Sequence, residues 1–145
     1  MNARLKLVKL DPTLPTPKYA HDGDSGIDLY SAFQVTIPAG ESAVIACGVA
    51  IELAEGFEGQ LRGRSGLNVN HSIICPVGTI DNSYRGEIKA KLYNLGKHAF
   101  TVQPGDRICQ LVVAPVARAD IQVVSLESLS DSPRGRNGFG STGLQ

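Results

Sequence analysis

Polar and apolar positions alternate with a period of two along most of this chain. In GEIKAKLYNL, residues 86–95, Ile88, Ala90 and Leu92 fall on one side and Lys89, Lys91 and Tyr93 on the other. That is the pattern of a strand with one buried and one solvated face. Strands are likewise expected at RLKLVKL (4–10), FQVTI (33–37), SAVIACGVAIEL (42–53), EGQLRG (58–63), RICQLVVAPV (107–116) and IQVVSL (121–126). Proline and glycine fence these runs, so the strands are short and the turns frequent. One or two helical turns are expected near 65–70. Such a series predicts an all-β sandwich or barrel with no internal repeat.

Composition narrows the function classes. A length of 145 residues fits one domain with a sizeable core. Fourteen basic residues balance fourteen acidic ones, so no overall positive field draws the chain to nucleic acid or to an anionic membrane. Cys47, Cys75 and Cys109 each sit in an apolar run. An odd count at irregular spacing is a poor disulfide framework and offers no metal spacing. Three buried free thiols in a reducing compartment are expected. MNARLKLVKL alternates charge with apolar residues and is not a signal sequence. The longest apolar run, AVIACGVAI, is too short to span a bilayer. The expectation is a soluble, cytoplasmic protein.

The composition shifts near residue 128, where the chain becomes SLSDSPRGRNGFGSTGLQ. This divides it into a β domain, 1–127, and a glycine-rich arm, 128–145. By composition the arm is either a frayed terminus or a phosphate-binding segment. Glycines let successive N–H groups converge on an anion, hydroxyls add donors, and arginine supplies a bidentate fork. Arg134, Gly140, Ser141 and Thr142 carry those groups, and Phe139 has no local packing partner and could stack on a flat ligand.

Other candidates lie in the β domain. In GRSGL, Arg64, Ser65 and Gly66 stand where a strand enters the expected helical turn, which is an anion site or a plain serine N-cap. Asp28 lies between Ile27 and Leu29, where a carboxylate needs a salt bridge, a turn donor or a metal. Gln110 is a polar residue in an apolar strand, facing either a site or solvent, and Asp106 and Arg107 read as turn residues. GTIDNSYRGE, 78–87, presents one carboxylate, Asp81, beside Tyr84 and Arg85 in a turn between strands. His21, His71 and His98 have no ligand spacing and no catalytic partners.

The order of these motifs is more specific than any one of them. DSGIDL, RSGL, GTIDNSYRGE, GDRICQL and RGRNGFGSTG run in that order from residue 24 to residue 143. The series closely resembles the five motifs of the trimeric dUTPases, the deoxyuridine triphosphate nucleotidohydrolases. The resemblance implies a distorted jelly-roll of about eleven strands with one short helix, assembled as a homotrimer. Its three active sites lie at subunit interfaces, and the arm closes over a neighbour's site. The implied reaction is dUTP plus water to dUMP and pyrophosphate with Mg²⁺, which limits uracil in DNA and supplies dUMP for dTMP synthesis.

The resemblance also implies roles residue by residue. Gly78, Thr79 and Ile80 would read uracil through the backbone of a hairpin, and Tyr84 would pack on the deoxyribose. Asp81 would activate the attacking water, while Arg85 and Glu87 brace the hairpin and the trimer. Arg64, Ser65, Gly66 and Gln110 would meet the phosphates or their waters. Asp28 would hold the water shell of Mg²⁺. Phe139 would stack on uracil, and Arg134, Gly140, Ser141 and Thr142 would clamp the β- and γ-phosphates.

Three positions depart from the family pattern: Gly63 for a usual proline, Asn137 for a glycine, and Cys75 where many bacterial members carry asparagine. The related dCTP deaminases share the fold, but no deaminase base constellation is present. A non-catalytic nucleotide sensor is the other alternative, usually marked by loss of the water-activating aspartate or the arm, and both are intact.

Overall fold

The computed structural model describes residues 3–138. Its eleven strands pair antiparallel throughout. Strand β1 (Leu5–Lys9) pairs with β5 (Val49–Leu53), and β3 (Val35–Ile37) with β10 (Phe100–Val102). A three-stranded sheet holds β4 (Ser42–Ala46), β9 (Lys89–Asn94) and β7 (Ile73–Ile74), with β9 in the middle. The largest sheet runs β2 (Ile27–Tyr30), β11 (Arg107–Pro115), β6 (Phe57–Arg62), β8 (Gly78–Ile80). Among the described residues the ladders divide into these four sheets rather than closing into one barrel. Among the described residues there are also one helix, α1 (Ser65–His71), and one 3-10 turn, Leu126–Ser128.

The period-two pattern decides which faces meet. On β9, Ala90 and Leu92 are fully buried while Lys89 and Lys91 are exposed, and the Lys91 ammonium lies 4.9 Å from the Tyr93 ring centre on the outer face. Leu29, Ile37, Ile88, Val102, Ile108 and Leu111 join Ala90 and Leu92 in one core shared by the sheets. Burying a leucine or isoleucine fully contributes about 1.5–3 kcal/mol, so this core carries most of the stabilisation.

Two expected strands take a different form. The run at 42–53 is not one strand, because Gly48 adopts φ +65° and divides it into β4 and β5, which lie in different sheets. The Gly48 carbonyl accepts from the amides of both Leu10 and Asp11, and a Cβ there would come 2.7 Å from Leu14 Cδ1. A residue other than glycine is therefore strained in backbone and in space. The run at 121–126 forms no strand: Ile121 is 85% and Val123 97% exposed. Alternation gives a segment two faces but cannot supply the neighbouring strand that makes it a ladder.

Asn94 closes the end of β9. Its Nδ2 donates to the carbonyls of Ile37 at 2.9 Å and His98 at 2.8 Å, and its Oδ1 accepts from the Gly96 amide at 2.9 Å. With the side chain 1% exposed, water cannot replace these partners. Asn94→Ala is expected to lower unfolding free energy by about 2–4 kcal/mol, because it strands several polar groups at once. Asn94→Asp is expected to cost more at neutral pH, since a carboxylate cannot donate to two carbonyls. Urea titration of the three proteins gives both differences.

Candidate active site

Strand β11 is paired on both edges, and this gathers the first cluster. Gln110 stands opposite Asp28 on β2 and opposite Arg62 on β6. Directly opposed residues of an antiparallel pair project to the same face, so Asp28 and Gln110 share one side of the sheet. Beyond Arg62 the chain passes through Gly63 and Arg64 into α1. Arg64 is the N-cap residue, without a side-chain cap bond, so Ser65 is the first helical residue and not the cap.

Asp28 holds two guanidinium groups. Its Oδ1 lies 3.0 Å from Arg64 Nε and its Oδ2 3.4 Å from Arg107 Nη1, with the carboxylate only 17% exposed. The cost of placing a charge in an apolar strand is thus met by paired, hydrogen-bonded partners. Arg64 Nη1 also donates to the Arg107 carbonyl at 3.2 Å, and Gln110 Nε2 donates to the Gly63 carbonyl at 2.9 Å. Asp28, Arg64, Ser65, Gly66, Arg107 and Gln110 line a cavity of about 320 Å³, with His21, Asp24 and Gly26 at its rim. Arginine forks, a hydroxyl and a carboxamide in one concavity suit an anion with several oxygens. Arg107 is the residue that sequence reasoning passed over as a turn. It is the first residue of β11, and only the pairing with β2 brings it to Asp28.

The second cluster lies on the far side of the same sheet order. Strand β8 pairs with β6 through Gly78 and Leu61. It ends at buried Ile80, and a tight turn follows in which the Tyr84 amide donates to the Asp81 carbonyl at 3.0 Å. The turn is braced at several points. Tyr84 Oη donates to the Glu87 carbonyl at 3.0 Å, and a Cβ on Gly86 would lie 2.5 Å from that hydroxyl, so the ring needs a glycine beneath it. Glu87 Oε1 accepts from the Gly48 amide at 3.1 Å, and Arg85 Nη1 donates to the carbonyls of Asn82 and Tyr84. Asp81 is exposed at the start of this turn. It lines a cavity of about 290 Å³ with Thr79, Ile80 and Tyr84, and on its other side one of about 410 Å³ with Glu55, Asn82 and Arg118. The expected hairpin is a crossing between sheets: β8 pairs with β6, whereas β9 pairs with β4 and β7.

The two clusters occupy separate cavities with no residue in common. Arg134 joins neither. It is exposed, and its guanidinium donates to the carbonyls of Asn137 and Gly138. Phe139, Gly140, Ser141 and Thr142 lie outside the described residues. No group of three or more metal-ligating side chains is present among the described residues. Asp28, with both oxygens on guanidinium groups, and Asp24 are the carboxylates lining the arginine cavity. That donor set fits a hard cation keeping most of its water, such as Mg²⁺, rather than one caged by protein.

Cys47 and Cys109 are buried free thiols, as expected, but Cys75 is only half-buried. It faces a cavity of about 370 Å³ shared with Arg64, Ser65 and Gln110. Burial, and then the nearby Cys47, push the Cys75 thiol up to about 11. The Cys109 thiol is raised well above its usual range by its hydrogen bond with Cys47 and by burial. The departure at Gly63 has a local consequence: a Cβ there would sit 3.3 Å from the Cys75 carbonyl oxygen and 3.4 Å from its nitrogen. Glycine lets these two segments approach.

Fold and clusters together define an all-β protein with an arginine-lined cavity and a braced carboxylate turn. The chain belongs to the dUTPase family, whose model matches residues 13–143. It is 50% identical over 143 residues to the deoxyuridine 5'-triphosphate nucleotidohydrolase of Crocosphaera subtropica, covering 97% of this chain and 99% of that one. The enzyme of the same name from Clostridioides difficile is 47% identical over 142 residues, covering 97% and 98%. Among solved structures, a variant of the Staphylococcus bacteriophage 80alpha dUTPase with dUpNHpp superimposes with a TM-score of 0.89 at 27% identity, covering 97% of this chain and 99% of that one. A dUTPase variant from phage phi11 of S. aureus, described with a structural Mg(II) ion, gives 0.79 at 25% identity, covering 83% and 96%.

The raised Cys75 thiol predicts its reactivity. Only the thiolate attacks a disulfide reagent. Near pH 8 a thiol at about 11 therefore reacts roughly 100-fold more slowly than an unperturbed one. Cys75 is the one of the three thiols that is not fully buried, so it should give the first phase. That phase should accelerate as pH rises toward about 11 and disappear in Cys75→Ser, as followed by release of the aromatic thiol from the reagent.

Proposed function

We propose that this protein hydrolyses dUTP to dUMP and pyrophosphate, in sites completed between copies of the chain. Membership of the dUTPase family, the names of its relatives and a structural neighbour carrying dUpNHpp support the substrate. The observation that carries the site assignment is the division of labour between the clusters. One cavity holds Arg64, Ser65, Gly66 and Gln110 and suits phosphates, while Asp81 stands in another beside a tyrosine-backed turn. A single chain does not bring the two together. A homotrimer in which one chain's turn faces another chain's arginine cavity would do so.

In this reading the backbone of Gly78, Thr79 and Ile80 hydrogen-bonds the uracil edge. Cytosine would leave polar groups there unpaired, a mismatch to which such a site is sensitive. The ring of Tyr84, fixed by its bond to Glu87 and by Gly86 beneath it, packs on the deoxyribose and leaves no room for a 2′-hydroxyl. Asp81 accepts a proton from water as the water oxygen bonds to the α-phosphorus. The bond from that phosphorus to the bridging oxygen breaks in line, and pyrophosphate leaves. Arg64, the Ser65 hydroxyl, the Gly66 amide and Gln110 stabilise the charge spread over the phosphate oxygens. Asp28 would hold the water shell of Mg²⁺, which when bound would neutralise phosphate charge. The arm, 128–145, would bring Arg134, Phe139, Gly140, Ser141 and Thr142 over a neighbouring site. The free thiols fit a cytoplasmic location.

Pyrophosphate release from dUTP, dCTP, dTTP and UTP tests the reading. Release is expected from dUTP alone, weakened by EDTA. Asp81→Asn is expected to lose about 10²–10⁴-fold in kcat, the usual worth of a general base. Equal release from all four nucleotides would show that the turn does not read uracil. Light scattering should give three times the 15.4 kDa chain mass; a monomer with full activity would exclude the shared site.

A further inference from the structure

We infer that Gly26 is a positioning residue for the phosphate cavity: its missing side chain is the space in which the Gln110 carboxamide lies. The inference rests on the function proposed above. It concerns a residue that touches no reacting atom and acts through another.

The geometry follows from strand period and register. Gly26 immediately precedes β2 and stands two residues before Asp28, so both belong to the same face of the strand. Gln110 is opposite Asp28, and Leu111 is opposite Ile27. Gln110 and Gly26 are therefore diagonal neighbours on one face, within reach of a long side chain. Gln110 uses that reach. A Cβ on residue 26 would lie 2.1 Å from Gln110 Oε1, 2.9 Å from its Cδ and 3.1 Å from its Cβ, and these three atoms of Gln110 are its nearest neighbours. The same carboxamide donates through Nε2 to the Gly63 carbonyl at 2.9 Å. That carbonyl immediately precedes Arg64, Ser65 and Gly66. Gln110 thus ties β11 to the backbone that carries the phosphate-binding groups.

Gly26 is not one of the positive-φ glycines. An alanine there meets no backbone strain, so its main conflict is with Gln110. The two shortest contacts are to the far end of a flexible side chain, which can swing away; the 3.1 Å contact to Gln110 Cβ stays and needs a backbone shift of a few tenths of an ångström. Gly26→Ala is thus expected to fold with the Gln110 carboxamide displaced and the Gly63 carbonyl released. Kinetically it should copy Gln110→Ala.

A double-mutant cycle decides this. Gly26→Ala and Gln110→Ala are each expected to lower kcat/KM for dUTP by about 10-fold, since a small displacement of a positioning group is enough for such a loss. The double variant should match Gln110→Ala within about twofold, because the two changes remove one and the same contact. Independent, multiplying losses would overturn the inference. A second readout does not depend on turnover: the Gln110 side-chain amide protons. In the parent they should exchange slowly and sit away from free-glutamine shifts, and Gly26→Ala should move them to free-glutamine values. Unchanged signals in Gly26→Ala would overturn the inference even where activity falls. Recovery of folded protein by adding Gln110→Ala to a poorly folding Gly26→Ala would identify the carboxamide clash; failure of both to fold would place the conflict on atoms other than the carboxamide, the Gln110 Cβ included, and overturn it. A parent inactive on dUTP would overturn the proposed function, and the amide signals would still decide the contact.

Discussion

The double pairing of β11 is the constraint on which the cavity of Asp28, Arg64 and Gln110 depends. Its register with β2 places Gln110 opposite Asp28, and its register with β6 places Gln110 opposite Arg62, two residues before Arg64. Residues distant in sequence thereby share one face. A slip of one position in the β2–β11 ladder would put Gln110 and Asp28 on opposite faces and separate Asp28 from Arg107, and a slip in the β6–β11 ladder would do the same to Gln110 and Arg62. The slip is resisted because Ile108, Cys109 and Leu111 are buried in the core on the same strand. Packing of the apolar positions fixes the register, and the register fixes the polar ones.

The carboxylate turn is held by different means. It belongs to no ladder of its own, since the strands flanking it lie in different sheets. Its shape comes from local bonds: Tyr84 to Asp81 and Glu87, and Arg85 to Asn82 and Tyr84. Glu87 adds a bond to Gly48, the glycine at the break between β4 and β5. The break that divides one expected strand into two thus also supplies an anchor for the turn. Rigid bracing around an exposed acid is what a positioned proton acceptor requires.

Alternation made the strands legible where they are long enough to show a period. β9 and β6 follow the expected runs closely, and α1 extends the expected helix by one residue to His71. β7, with two residues, and β10, with three, are too short to carry a pattern. The break at Gly48 was hidden because its neighbours are apolar on both sides. The segment 121–126 alternates like a strand and is not one, since a ladder needs a partner. Asp28, Arg64, Ser65, Gly66 and Gln110 were legible as candidates and do meet in one cavity. Arg107 and Gly26 were not. Both lie inside motifs, DSGIDL and GDRICQL, but the contact each makes forms only across the β2–β11 pairing, so the motifs marked the segments without giving these two residues a role.

Asp28 also shows why a structural salt bridge and a functional site need not be competing readings. Its carboxylate engages Arg64 through Nε, and the bond from Arg64 to the Arg107 carbonyl uses Nη1. Two of the three nitrogens of that fork are thus fixed by the protein, which sets the plane of the guanidinium. In the proposed reaction Nη2 is left for a phosphate oxygen, and the orientation entropy of a long side chain is already lost before the nucleotide arrives. The same carboxylate, lying between Arg64 and Arg107, offsets one of their two positive charges and lessens their mutual repulsion in the absence of phosphate. A neutral side chain at position 28 would keep the strand and forfeit both effects. The acid that looks costly in an apolar strand is what makes the arginine cavity ready for an anion.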